Sequence, residues 1–254
     1  MTAHPPLVSI EGLCKTFPGP DGMPFAAVDD LSFDAFAGEV VGLLGANGAG
    51  KTTTLRILCT LLKPTAGFAT VAGYDILQNP DDVRRQIGFL SANTGIYERL
   101  TAREMVEYYG KLHGLTGNEL RERVDSLFDA FQMADIAQKK GGTLSTGQKQ
   151  KVSIARALVH EPPVLIFDEP TIGLDVLVQR IVLDQVLALR EQGKCILYST
   201  HNFREVEKLC TRVIIIHQGK ILASGTLAEL KATYGKTDIE EIFFHLVEPN
   251  SRIS

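Results

Sequence analysis

The eight residues from 45 to 52, GANGAGKT, constrain this chain more than any other stretch. They fit GxxxxGKT and stand between a continuous apolar run, EVVGLL, and KTTTLRILCTLL, whose Leu55, Leu58 and Leu62 recur at helical spacing. The run suits a strand buried on both faces, so the context is strand, glycine-rich turn and helix. Gly45, Gly48 and Gly50 let the backbone curl until successive N–H groups converge on phosphate oxygens, and the helix that follows adds its positive dipole end. In this register Gly45, Ala46, Asn47, Gly48, Ala49 and Gly50 form the cradle. Lys51 reaches the β and γ phosphates, the Thr52 hydroxyl ligates Mg²⁺, and Thr53 lies near the α phosphate. The loop alone says "nucleotide" and no more, because kinases, GTPases and motors share it.

The chain has 254 residues, 44% hydrophobic and 22% charged, as in an ordinary folded protein with one large domain or a core carrying one insertion. A net charge of -4 argues against a basic nucleic-acid platform, so no nucleic-acid partner is expected. Cys14, Cys59, Cys195 and Cys210 form no CxxC pair, which points to reduced thiols in a cytosolic protein, with neither a zinc site nor a disulfide framework. The first residues, MTAHPPLVSIEG, do not read as a secretory signal. The apolar runs fall well short of the roughly 20 residues that span a bilayer, so any membrane role is expected to come through a partner.

Along the chain, LVSIEGLCKTF and AAVDDLSFDAFAGE flank the loop PGPDGMPF and read as antiparallel sheet, and KPTAGFATVAGYDI as turn and short strand. From about residue 100 to 160 the pattern is helical; Leu120, Val124, Leu127, Phe128 and Phe131 share one face. Buried strands then resume in PVLIFDEP and CILYSTH, alternating with helices through VLVQRIVLDQVLALREQGK and NFREVEKLC, before a hairpin, RVIIIHQGKILASG. Strand alternating with helix predicts a mostly parallel sheet covered on both faces. The expectation is an α/β fold: a P-loop core, an N-terminal antiparallel β subdomain and an inserted helical subdomain at about 95–160. The main domain spans 5–235, and 236–254 reads as a short helix and a loose tail.

VLIFDEP ends a buried strand in two carboxylates, which are costly there unless something pairs with them. Parallel strands open their carboxyl ends onto one crevice, so Asp168 is expected to face the Mg²⁺ at Thr52. Glu169, one residue on, is placed to polarise a water attacking the γ phosphate. CILYSTH brings His201 to the same rim as a candidate hydrogen-bond partner of that phosphate.

LSTGQKQK, residues 144 to 151, raises a second possibility. Ser145 and Gln148 have the spacing of a capping box, and Val152, Ala155, Leu158 and Val159 supply the stripe of the following helix. Yet Gly147, a poor helix former, sits in the first turn, where a bare backbone lets an anion approach.

Taken in order, these pieces resemble the ATP-binding subunit of an ABC transporter. GANGAGKT resembles the Walker A loop, LSTGQ the LSGGQ signature with Thr146 at its third position, and VLIFDEP the Walker B strand. GLD, ending at Asp175, resembles the D-loop, STH the switch histidine, and Phe17 occupies the aromatic position that stacks on adenine. The resemblance runs from about residue 7 to 230. It implies Mg-dependent hydrolysis of ATP by two such domains packed head to tail, with Ser145, Gly147 and Gln148 of one meeting the γ phosphate held by the other, and Asp175 carrying contact across the dimer. It implies further a homodimer bound through a membrane permease to the inner face of the cell membrane.

Two positions depart from the family pattern. The glutamine expected after IGFL aligns with Ala92, beside Asn93, so a shorter amide or a water takes that contact; Val176 replaces a frequent proline. TGIYERLTARE is similar to the NatA-type sodium-export branch. The alternative class is a soluble ABC ATPase in a role such as cofactor assembly, since long coiled coils and a second cassette, marks of repair and translation members, are both missing from the pattern.

Overall fold

The computed structural model describes residues 5–19, 22–91 and 95–248. The chain begins with two antiparallel strands, β1 (Val8–Pro18) and β2 (Pro24–Ala35), then enters the core with β3 (Val40–Leu44) and α1 (Lys51–Leu58). β4 (Ala66–Val71) and β5 (Tyr74–Asp75) return to the first sheet, α2 (Pro80–Gln86) follows, and β6 (Ile87–Ser91) re-enters the core. The helical insert holds α3 (Ala102–Leu112), α4 (Gly117–Ala130) and α5 (Thr146–Leu158). The core resumes with β7 (Val164–Asp168), α6 (Val176–Glu191), β8 (Cys195–Thr200), α7 (Phe203–Leu209) and the hairpin β9 (Arg212–His217) and β10 (Lys220–Gly225). It ends in α8 (Leu227–Tyr234) and α9 (Ile239–Val247).

The strands form two sheets. One is antiparallel with order β2-β1-β4-β5; the other has order β10-β9-β3-β8-β7-β6. In the second, β3 pairs in parallel with β8 and β9, and β7 with β6 and β8, so only edge strand β10 runs antiparallel. This is the α/β architecture that the alternating pattern implied. β3, β7 and β8 are buried along their whole length, as continuous apolar runs require of strands covered on both faces. Their carboxyl ends, at Leu44, Asp168 and Thr200, lie side by side because the register pairs Leu44 with Thr200 and Asp168 with Ser199.

Two apolar clusters stabilise the body. One gathers β3, β8 and β9 with α1 under the antiparallel sheet; the other joins the opposite sheet face to the insert, where Leu120, Val124, Leu127, Phe128 and Phe131 are all buried. α1 is shorter than its apolar spacing suggested. It stops at Leu58 because Thr60 adopts φ 58°, while Thr60 N–H bonds Ile57 O and Leu61 N–H bonds Arg56 O, a left-handed cap that turns the chain before Leu62. Beyond residue 235 the chain forms α9, whose Ile239, Ile242 and Phe243 are buried, with Phe243 against Phe203 of α7.

Candidate nucleotide site

The turn between β3 and α1 takes the shape that its glycines allow. Gly48 and Gly50 have φ of 81° and 110°, and a Cβ at Gly50 would sit 2.5 Å from Ala27 O of β2, so only glycine fits there. Gly219 N–H bonds Ala49 O and props the loop from the β9–β10 turn. Lys51 is buried; its ammonium donates to Gly45 O (2.6 Å) and Ala46 O (3.2 Å) and lies 3.2 Å from Glu169 Oε1.

Asp168 sits where β7 ends, and its Oδ1 accepts from Thr52 Oγ1 (2.9 Å) and Ser199 Oγ (2.8 Å). Thr52 and Asp168 thus offer adjacent hard oxygen donors. Among the described residues no group of three or more His, Cys, Asp or Glu could enclose a metal. This donor set fits a cation such as Mg²⁺, which takes one or two protein oxygens and completes its shell with water and substrate phosphate.

Glu169 follows with φ 52°, a left-handed backbone unusual outside glycine. Its N–H reaches Ser199 O (3.2 Å) and Ser199 Oγ (3.1 Å), and its carboxylate lies between Lys51 and His201, with Oε2 2.9 Å from His201 Nδ1. Lys51, Thr52, Asp168, Glu169 and His201 therefore converge at one sheet edge from three separate segments. The adjoining cleft, about 300 Å³, is lined by residues 47–53, Glu169, Phe17, Phe25 and Ala27. Phe17 and Phe25 pair across the β1–β2 hairpin, and Lys15 Nζ stands 5.0 Å over the Phe17 ring.

The second cradle is elsewhere. Ser145 and Gln148 form a reciprocal capping box at the start of α5: Gln148 N–H bonds Ser145 Oγ at 3.3 Å, and Ser145 N–H bonds Gln148 Oε1 at 3.0 Å. Ser145, Gly147 and Gln148 line a separate cavity of about 190 Å³ with Val178 and Ile181 of α6, and it shares no lining residue with the cleft beside Lys51. Gly147 also has an internal reason to lack a side chain: a Cβ there would lie 2.7 Å from Val178 Cγ2. Asp175 caps α6, its Oδ1 accepting from Leu177 and Val178 N–H at 3.0 and 3.1 Å. Ala92 and Asn93 lie outside the described residues.

A family profile described as ABC transporter matches residues 28–172, more than half of the chain. The chain belongs to the ABC transporter family. It is similar to the ABC transporter ATP-binding protein NatA of Bacillus subtilis, 43% identical over 218 residues, which is 85% of this chain and 89% of that protein. The daunorubicin/doxorubicin resistance ATP-binding protein DrrA of Streptomyces peucetius is 38% identical, over 90% of this chain and 68% of its own. Among solved structures, an ATP-binding subunit of an ABC transporter superposes with TM-score 0.85 at 30% identity, covering 95% of this chain and all of that one. A dimeric ATP-binding cassette in a post-hydrolysis state, bound to ADP and Pi, superposes at 0.77 and 28% identity, over 87% of this chain and 98% of its own. The chain is an ATP-binding subunit of the ABC transporter family and an ABC ATPase.

Sequence patterns missed two side chains in this ABC site. Ser199 lies two residues before His201, and only the β7–β8 register sets its hydroxyl on Asp168 and Glu169. Phe25 is opposite Phe17, a placement that follows from a hairpin register with bulges that alternation did not reveal. The PGPDGMPF turn was the available signal.

Proposed function

We propose that two copies of this chain close head to tail around ATP, hydrolyse it, and drive transport through a separate membrane permease at the inner face of the cell membrane. The observation that carries this reading is the separation of the two cradles: Ser145, Gly147 and Gln148 line a cavity that has no residue in common with the Lys51 cleft. A signature set apart from its own chain's nucleotide cleft is accounted for by a partner's nucleotide. The exposed Ile172, Val176 and Leu177 around Asp175 support the same reading, because apolar side chains beside a capping aspartate are costly to leave in water.

In this proposal the cradle from Gly45 to Gly50, with Lys51 and Thr53, holds the ATP phosphates, and Phe17 stacks on adenine. Thr52 and Asp168 hold Mg²⁺, which when bound neutralises charge on the phosphates. Glu169 takes the proton of the attacking water while His201 orients Glu169 and donates toward the γ phosphate; Ser145 and Gly147 approach it from the second copy, and Asp175 carries contact across the dimer. The nucleotide-binding unit spans 5–235 with the helical insert at about 95–160, and α9 follows it.

No helix among the described residues is long and apolar enough to cross a membrane. Passage of cargo is therefore assigned to the permease. Similarity to a doxorubicin resistance subunit supports export. Sodium as cargo rests only on TGIYERLTARE. Affinity capture of the chain from detergent-solubilised membranes tests the transport role. Recovery of an integral membrane protein in stoichiometric amount is expected, and recovery of soluble partners alone would instead place the chain in a role such as cofactor assembly.

A further inference from the structure

A buried carboxylate stands behind the catalytic edge and takes no part in the chemistry described above. Glu205, in α7, is 3% exposed. Its Oε1 accepts from Thr171 Oγ1 (2.6 Å) and Asn202 Nδ2 (3.4 Å), and its Oε2 from Thr200 Oγ1 (2.7 Å) and Tyr198 OH (3.1 Å). All four donors are neutral groups. A carboxylate is costly to bury, and what it offers that an apolar side chain or an amide does not is acceptor capacity on both oxygens at once. Burial above all, and then the Glu205 charge, push the Tyr198 hydroxyl far above its ordinary pKa, so that group remains a donor.

The positions of these donors give the arrangement its meaning. Thr171 is two residues beyond Glu169, and Thr200 immediately precedes His201. The Thr171 carbonyl in turn accepts from Leu174 N–H (3.1 Å) and the Gln179 side chain (3.5 Å), at the approach to Asp175. One carboxylate thus ties the turn that carries Glu169 and Asp175 to the strand end that carries His201. The two segments arrive from different strands, and the 2.9 Å contact between Glu169 and His201 requires both to be fixed.

We propose that Glu205 is the positioning residue of the hydrolytic site, locking the β7 exit turn to the end of β8 so that Glu169 and His201 are held as a pair. The inference rests on the ATPase reading. None of the four residues that hydrogen-bond Glu205 lines the nucleotide cleft, so its loss lowers turnover and leaves ATP affinity in place.

Steady-state ATP hydrolysis by the purified full-length chain tests this with Glu205→Gln, Thr171→Val and the double variant. Glu205→Gln keeps the size but turns an NH₂ toward two donors. It is expected to lower kcat by about ten-fold or more with KM for ATP within about two-fold of wild type. Thr171→Val loses one tie only and should lower kcat by about three-fold, and the double variant should be no slower than Glu205→Gln alone, because both act through the same contact. An active wild type with kcat unchanged in Glu205→Gln, or lost in step with a matching rise in KM, would overturn the inference alone. A wild type without turnover would overturn the ATPase reading and the inference with it. If Glu205→Gln fails to fold, Thr171→Val decides: reduced kcat at constant KM supports the role, and unchanged kcat refutes it.

Discussion

At the scale of single residues, Glu169 concentrates the site's chemistry. A non-glycine residue in left-handed backbone carries about 1–3 kcal/mol of strain and persists only where its surroundings fix it. Here Ser199 holds its N–H, and Lys51 and His201 hold its two oxygens. Glu169→Gln keeps the shape but cannot accept the water's proton, so hydrolysis should fall by about 100-fold or more while ATP binding survives. Gel filtration with ATP should then show an accumulated dimer, and near-normal phosphate release would remove Glu169 from the role of base. Lys51, Thr52, Asp168 and Glu169 were legible in the sequence because each stands at a fixed offset from a buried strand's end. Ser199, Phe25 and Glu205 were not: Ser199 and Glu205 meet partners 30 to 34 residues away in sequence, and the place of Phe25 opposite Phe17 depends on a bulged hairpin register.

At the scale of elements, the joint between the helical insert and the core carries a pH response. His113 caps α3 and stacks on His160 beyond α5, ring centroids 3.6 Å apart, and the His160 Nε2–H donates to Ile87 O at the start of β6. Its Nδ1 is buried without a hydrogen-bond partner among the described residues. Burial first, then His113, with Lys194 and Arg123 adding smaller repulsion, lowers the His160 pKa to about 4; burial and Arg85 lower that of His113. Both folded values lie below the ordinary histidine value of about 6.5, so on acidification the unfolded chain binds these protons first. The stability they contribute is complete above about pH 6.5 and is lost as the pH falls toward 4, by roughly 2–3 kcal/mol for His160. Urea midpoints for wild type and His160→Gln between pH 7.5 and 4.5 should diverge, the wild type falling more steeply; parallel slopes would contradict the assignment. Periodicity had placed α4 and α5 correctly, but it extended α1 past Leu58, because apolar spacing carries no record of the left-handed cap at Thr60. The buried face of α9 likewise depends on Phe203 being there to meet Phe243.

At the scale of the whole molecule, the Lys51 cleft and the cavity at Ser145, Gly147 and Gln148 share no lining residue, and Ile172, Val176 and Leu177 around Asp175 are exposed. The parallel core was readable from alternating buried strands and helices. The separate linings of the Ser145 cavity and the Lys51 cleft were not, because they depend on how the helical insert seats α5 against α6. In the proposed head-to-tail arrangement the active unit is two chains, each supplying what the other lacks. Mixing a Lys51→Ala chain with a Ser145→Arg chain measures this most directly. Each variant alone is dead in both sites of its own dimer, whereas the mixed dimer joins one intact Lys51 cleft to one intact Ser145 cradle. Heterodimers should regain ATP hydrolysis that neither variant shows by itself; heterodimers that form yet release no phosphate would contradict a site built in trans.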